Sequence, residues 1–160
     1  MQIALQPHQN MLCQLDWNTE EPVSYTHLEK LLCDLYKKVA TLSCLSDEKG
    51  MFLDFSKSCH EAVGCLKYFY KEQFGSEFDP MIPEINIQGT YREVLNHIQQ
   101  QELESSLNYR QHTYFQDNYL LQETMRGIAD SKLEHIIAIM AIVINMNDPQ
   151  KTINNKHNLE

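Results

Sequence analysis

The sequence has no cluster of basic residues and no long hydrophobic run. Its net charge is −9, and we expect no nucleic-acid binding because phosphate backbones are bound by basic patches. The longest apolar stretch, Ile136 to Met146, is far shorter than the roughly 20 residues of a membrane-spanning helix. Residues 1–10 contain no lysine or arginine, which argues against a secretory signal. These absences predict a cytoplasmic protein without a membrane span.

The sequence also lacks closely spaced cysteines and common catalytic motifs. The five cysteines include no Cys-x-x-Cys pair, and we expect no cysteine metal site because none of them are clustered in the sequence. Cys33, Cys59 and Cys65 lie among apolar residues, which predicts reduced thiols in a core. There is no glycine-rich phosphate loop and no Gly-x-Ser-x-Gly motif.

The apolar residues that are present predict four helices, no strand and a single domain. Apolar stripes at three- and four-residue spacing mark the first two helices: Leu28, Leu32, Leu35, Val39 and Leu42, then Phe52, Phe55, Cys59, Ala62, Leu66 and Phe69. The third helix carries Val94, Leu95, Ile98, Glu102, Ser105 and Tyr109. We expect a lead-in segment over 1–18, a helical bundle over 19–147 and a disordered tail over 148–160.

Polar residues mark the expected helix ends. Thr19, Ser46 and Asp117 are predicted N-caps of the first, second and fourth helices. Thr90 and Glu93 have the spacing of a capping box at the start of the third.

The second helix is expected to end at Gly75, in a left-handed conformation. Residues 76–89 contain Pro80 and Pro83 and predict a long crossover to the third helix.

The chain also repeats weakly at an offset of 73 residues. The offset superposes Glu29 on Glu102, Tyr36 on Tyr109, Lys37 on Arg110, Ser58 on Ser131 and Glu61 on Glu134. Glu102 lies on an inward stripe and Glu29 on the flank of one. Because a buried carboxylate costs several kcal/mol unless a partner compensates it, we expect a metal, a tyrosine or an arginine beside these glutamates.

Two stretches resemble ferritin-like di-iron proteins. The stretch from Glu29 to Tyr36 and Lys37 is similar to their first helix, and the stretch 91–110 around Glu102 is similar to their third. The resemblance is strongest to uncharacterised ferritin-like proteins of spore-forming bacteria, some of them related to the spore coat. It spans 20–147 and implies an all-α, antiparallel four-helix bundle of two hairpins joined by a long crossover, with a spore-associated role as a narrower expectation.

The sequence departs from that family where two Glu-x-x-His motifs complete the metal site. The corresponding stretches, 58–62 and 130–135, contain neither motif. In the repeat register, serine takes the place of the bridging glutamate and glutamate the place of the histidine. The candidate metal ligands are then Glu29, Glu61, Glu102, Glu134 and His135. Lys132 can also fall near the site, where its charge would oppose a metal.

Two functions follow from this departure. One is a metalloprotein or oxidoreductase that binds iron or manganese through carboxylates, which prefer such hard cations. The other is a scaffold without a cofactor that acts through helix–helix association, as a homo-oligomer or with other partners. Loss of both motifs favours the structural or interaction role.

Overall fold

The computed structural model describes residues 20–114 and 118–146. Over these residues the chain has no strand and forms four helices: α1 (Glu20–Leu42), α2 (Ser46–Phe74), α3 (Tyr91–Thr113) and α4 (Tyr119–Asn145). The predicted all-α fold is confirmed. Within the same ranges, no helix has the length and apolar character needed to cross a membrane. The predicted lead-in segment, the caps Thr19 and Asp117, and the predicted tail lie outside the described residues.

The helices pack as two hairpins, α1 with α2 and α3 with α4. In the first hairpin the Ser56 hydroxyl donates to the Cys33 carbonyl oxygen at 2.9 Å. In the second the Ser106 hydroxyl donates to the Ala129 carbonyl oxygen at 2.9 Å. The 73-residue offset maps Cys33 onto Ser106 and Ser56 onto Ala129, so the same contact recurs with donor and acceptor exchanged. The weak repeat in the sequence therefore corresponds to a repeat of contacts.

Buried apolar faces hold the hairpins together, since most of the stability of helices in proteins comes from packing an amphipathic face. One core cluster includes Tyr36 and a second includes Tyr109. Most of the predicted stripe positions are buried, but Leu42 is 48% exposed because α1 ends there. Inclusion of Leu42 in the core stripe was therefore wrong.

Two predicted helix ends are confirmed. The Thr90 side chain accepts from the Glu93 amide, and the Glu93 carboxylate accepts from the Thr90 amide at 2.8 Å, which completes the capping box of α3. Gly75 follows α2 with φ at 69°, a left-handed conformation that glycine adopts without a steric cost. Both ends therefore use the local chemistry that the sequence indicates.

The predicted N-cap of α2 is wrong. Leu45 is the N-cap residue, and no side chain there bonds to the first turn. The Ser46 hydroxyl instead faces the Asp47 carboxylate at 3.4 Å. For α4 the structure assigns the cap to Asn118, whose side chain accepts from the Leu121 amide at 3.1 Å.

Residues 75–90 connect the two hairpins and lie against the first of them. Lys30 of α1 and Lys67 of α2 both bind the Asp79 carboxylate. Ile85 and Ile87 pack against the core from the same segment. The long connection is therefore held by charge at one end and by apolar contact at the other.

Candidate functional site

Four charged or polar side chains meet inside the protein, and we call them the ion cluster. They are Glu29 of α1, Glu102 of α3, and Lys132 and His135 of α4. None is more than 4% exposed. Glutamate and lysine are almost never fully buried unless they are paired, so their contacts decide what the cluster can do.

Lys132 lies between the two carboxylates. Its Nζ is 2.9 Å from Glu29 Oε1 and 3.1 Å from Glu29 Oε2. The same atom is 2.8 Å from Glu102 Oε2. Lys132 points inward because it shares the buried face of α4 with Ala129 and Ile136, at three- and four-residue spacing. A buried ammonium with these acceptors is well satisfied, since it has only three protons to donate.

Two tyrosines cross between the hairpins to reach the same carboxylates. The Tyr36 hydroxyl of α1 donates to Glu102 Oε1 at 2.6 Å, and the Tyr109 hydroxyl of α3 donates to Glu29 Oε1 at 3.0 Å. Both tyrosine side chains are fully buried. The repeat maps each tyrosine and each glutamate onto the other, so the two bonds are equivalent. Each buried glutamate therefore has a tyrosine partner, which is one of the partners that the sequence led us to expect.

His135 completes the contacts of Glu102. Its Nδ1 lies 2.9 Å from Glu102 Oε1. The imidazole stacks on Phe55 with ring centroids 4.1 Å apart, and its edge meets Tyr36 with centroids 5.5 Å apart. Aromatic contacts on two sides fix the plane of the ring.

The electrostatics of the ion cluster keep its ion pairs charged. Burial raises the pKa of Glu102, but the Lys132 charge and the His135 hydrogen bond together outweigh it and hold the pKa at about 2. Burial lowers the pKa of Lys132, but the charges of Glu102 and Glu29 hold it well above its ordinary value. Burial and the facing carboxylates raise the pKa of Tyr36 and Tyr109, which are therefore neutral donors at pH 7.

A buried thiol borders the ion cluster. Cys59 of α2 is 2% exposed, and its Sγ, a Glu102 carboxylate oxygen and a His135 ring nitrogen all lie within 4.8 Å of one another. Burial, and then the charge of Glu29, raises the pKa of the thiol, so Cys59 is protonated at neutral pH. The cysteines are not clustered in the sequence, but the fold brings Cys59 close to Glu102 and His135. Helix packing joins residues far apart in sequence, and the inward stripe of α2 was the only signal for Cys59.

A cavity of about 310 Å³ opens beside the ion cluster. Buried residues of its lining include Glu29, Cys59 and Lys132, and exposed ones include Glu61 and Gly127. The cavity therefore leads from the surface to the cluster. Small side chains line its α2 and α4 walls, among them Ser58, Ala62, Cys65 and Ser131.

The structure brings together three of the five predicted ligands. Glu29, Glu102 and His135 belong to the ion cluster, whereas Glu61 and Glu134 are exposed. One residue along a helix turns the side chain by about 100°. Ala62 and His135, which directly follow Glu61 and Glu134, are the residues that point inward. The register predicted for α2 and α4 is therefore displaced by one residue.

In the corrected register, the inward pair of α2 is Cys59 and Ala62, and that of α4 is Lys132 and His135. Ser58 and Ser131, predicted in place of the bridging glutamates, lie half-buried in the cavity lining instead. Lys132 reaches the site, as the sequence allowed. The repeat also maps Cys59 onto Lys132, so the two halves differ at their most polar inward position.

These donors do not fit the two-metal centre that the resemblance implies. Such a centre takes a glutamate from each of two helices and a Glu-x-x-His motif from each of the others. Under that resemblance Cys59 and Lys132 would stand in place of the motif glutamates, and Ala62 offers no donor in place of a histidine. The Lys132 ammonium also contacts Glu29 Oε1 and Glu102 Oε2, so a metal pair between the two carboxylates would meet its positive charge. Metal ligation by the predicted residues in another arrangement stays a prediction.

Over residues 20–114 and 118–146, the fold and the site together consist of four helices, a buried ion cluster and a cavity that reaches it. No protein-family model, curated protein or solved structure matches this chain.

Proposed function

We propose that the chain is an antiparallel four-helix bundle of the ferritin-like kind in which the ion cluster replaces a metal pair. We further propose that it acts as a structural or interaction protein, by association with other chains. The cytoplasmic setting and the spore-associated role are part of this proposal. The first rests on the features that the sequence lacks, and the second rests on the sequence resemblance.

The architecture is supported by two observations. The hairpins are joined by residues 75–90, and ferritin-like bundles need a long connection between their second and third helices. The bonds from Tyr36 to Glu102 and from Tyr109 to Glu29 join equivalent positions of the two hairpins.

The position of Lys132 is the main support for the proposal that the ion cluster replaces a metal pair. Its ammonium lies within 3.1 Å of both carboxylates and is itself fully buried. Removal of one partner from a buried ion pair destabilises a protein by about 3–5 kcal/mol, because the other charge is then unpaired. The ion cluster therefore links α1, α3 and α4 through the charge of Lys132.

An exposed apolar stripe on α4 supports the interaction role. Ile137, Met140 and Ile144 lie three and four residues apart and are 67%, 44% and 63% exposed. Contiguous apolar surface on a soluble protein marks a binding face. A second copy of the chain is the partner we propose, because a two-fold axis would place the stripe of one copy against the same stripe of the other.

Elemental analysis tests the replacement of the metal. The full chain is purified without chelator, and its iron and manganese content is compared with that of the variant Glu29→Gln plus Glu102→Gln. We expect far less than one equivalent of either metal in the wild type. Stoichiometric iron or manganese that is lost in the double variant would overturn the proposal.

Sedimentation tests the interaction face. We expect the wild type to dimerise and Ile144→Glu to be monomeric. Leu53→Glu is the matched control, because Leu53 is an exposed apolar residue of α2, 46% exposed, outside the stripe. A monomeric wild type at high protein concentration, or equal dimerisation of Ile144→Glu and the control, would exclude self-association through α4.

A further inference from the structure

The donors beside Lys132 suggest a single metal ion of a different kind from an iron or manganese pair. We propose that Cys59, Glu102 and His135 form a mononuclear zinc site with one open position that faces the cavity. The inference rests on the ion cluster of the proposed function, since Lys132 must stay bound to the carboxylates.

The donor atoms have the types that zinc takes and lie near the spacing that it needs. Zinc is bound by thiolate sulfur at about 2.3 Å and by imidazole nitrogen or carboxylate oxygen at about 2.0–2.2 Å, in a tetrahedron. Such donors lie about 3.3–3.6 Å from one another. The three donors lie within 4.8 Å of one another. Glu102 Oε1 and His135 Nδ1 are 2.9 Å apart in a hydrogen bond, which zinc would replace by separating the two atoms. Shifts of about an ångström would bring the three donors to bonding distance of one ion.

The charges also favour one divalent ion. Glu29 and Glu102 carry two negative charges and Lys132 one positive charge, which leaves the buried group at −1 when His135 is neutral. Zinc binding releases the Cys59 proton because the thiolate is the ligand. One Zn²⁺ together with one thiolate adds a net single positive charge, so the occupied site is neutral. An uncompensated buried charge is costly, and the ion removes it.

The surrounding residues supply the other requirements of a metal site. Tyr36 donates to Glu102, and Phe55 stacks on His135, so the oxygen and nitrogen ligands are both held in place. Cys59 and His135 line the cavity of about 310 Å³, which gives the ion a route from the surface. With three protein ligands, the fourth position remains for water or for a small ligand that enters by the same route.

Cobalt and zinc binding to the full chain test this site. The protein is freed of metal, and Co²⁺ is added as a spectroscopic probe of thiolate ligation. We expect one equivalent to bind with a sulfur-to-cobalt charge-transfer band that Zn²⁺ abolishes by displacement. Cys59→Ser should lose the band and bind zinc at least about 100-fold more weakly. Cys65→Ser, which alters a thiol of the same helix and cavity lining, should behave as the wild type.

The wild-type spectrum decides the question even if Cys59→Ser does not fold. Absence of the charge-transfer band in the wild type overturns the zinc site, and so does an equal band in a folded Cys59→Ser. X-ray absorption of the zinc-loaded wild type should show one sulfur at about 2.3 Å, with nitrogen and oxygen at about 2.0–2.2 Å. Failure of zinc binding in a chain that also binds no iron or manganese removes this inference alone. Stoichiometric iron or manganese would remove the proposed function.

Discussion

At the scale of single residues, Glu102 has the largest set of partners within the ion cluster. Its two oxygens accept from Tyr36 and Lys132 and contact His135. A carboxylate so compensated stays ionised in the folded protein at a pH where it is protonated in the unfolded chain. The contribution of Glu102 to stability therefore depends on pH.

Acid should weaken the wild type more than a variant without this carboxylate. The Glu102 carboxyl has a pKa of about 2 when folded, against an ordinary value of 4.5. Between these values the unfolded state binds more protons, so the stabilisation is present above about pH 4.5 and is lost as the pH falls toward 2. From pH 6 to pH 3 the wild type should lose about 2 kcal/mol more than Glu102→Gln.

Urea unfolding at the two pH values measures this difference. Glu134→Gln is the matched control, because Glu134 is an exposed glutamate of α4. We expect the control to lose as much stability as the wild type. Equal losses in Glu102→Gln and Glu134→Gln would contradict the assignment of the acid sensitivity to Glu102.

The sequence predicted part of this chemistry at the residue scale. Glu102 was recognisable because a carboxylate interrupts an apolar stripe, and Glu29 because the repeat pairs it with Glu102. Cys59 gave no such signal, since a buried cysteine is an ordinary core residue. Glu61 and Glu134 were misplaced for another reason: an error of one residue in the register rotates every side chain of a helix by about 100°.

At the scale of helices, apolar spacing was sufficient to predict all four. A helix end was predicted correctly where a local motif determines it, as with the Thr90–Glu93 capping box of α3. The start of α2 was predicted wrongly, because tertiary packing allows that helix to begin after Leu45 without a side-chain cap. Leu42 was assigned to the buried stripe in error, because apolar periodicity does not show which turns of a helix are covered by neighbouring helices.

Two glycines of the α2 region should respond to alanine with opposite signs. Gly75 has φ at 69°, where a Cβ is strained, so Gly75→Ala should destabilise the protein by about 1–2 kcal/mol. Gly64 lies inside α2 with nothing within 4 Å of an added Cβ, so Gly64→Ala should stabilise it by about 0.5–1 kcal/mol. Urea unfolding of both variants at pH 7 measures the effects. A Gly75→Ala variant that is as stable as the wild type, or more stable, would contradict the C-cap role of Gly75.

At the scale of the whole molecule, one substitution should turn the ion cluster toward metal dependence. Lys132→Glu would place the family's Glu-x-x-His motif on α4, opposite Glu29 and Glu102. Without metal, three buried carboxylates repel one another and the variant should be strongly destabilised. Mn²⁺ at 100 times its dissociation constant should then restore about 2.7 kcal/mol.

Thermal unfolding with and without Mn²⁺ measures this change. Lys132→Met is the control, because it removes the ammonium without adding a ligand. It should lose about 3–5 kcal/mol and gain nothing from Mn²⁺. Stabilisation of both variants by Mn²⁺, or of neither, would show that the position of Lys132 does not correspond to a metal position.

The crossed tyrosine bonds have the symmetry of a dimer within one chain. Reciprocal contacts, in which Tyr36 reaches Glu102 and Tyr109 reaches Glu29, are those of an isologous dimer interface. A pair of identical hairpins could form both bonds, but it would place either two lysines or none between its carboxylates. A single Lys132 opposite Cys59 requires two hairpins of different sequence. The present charge balance is thus available to one chain that contains both hairpins, and not to a symmetric dimer of one hairpin.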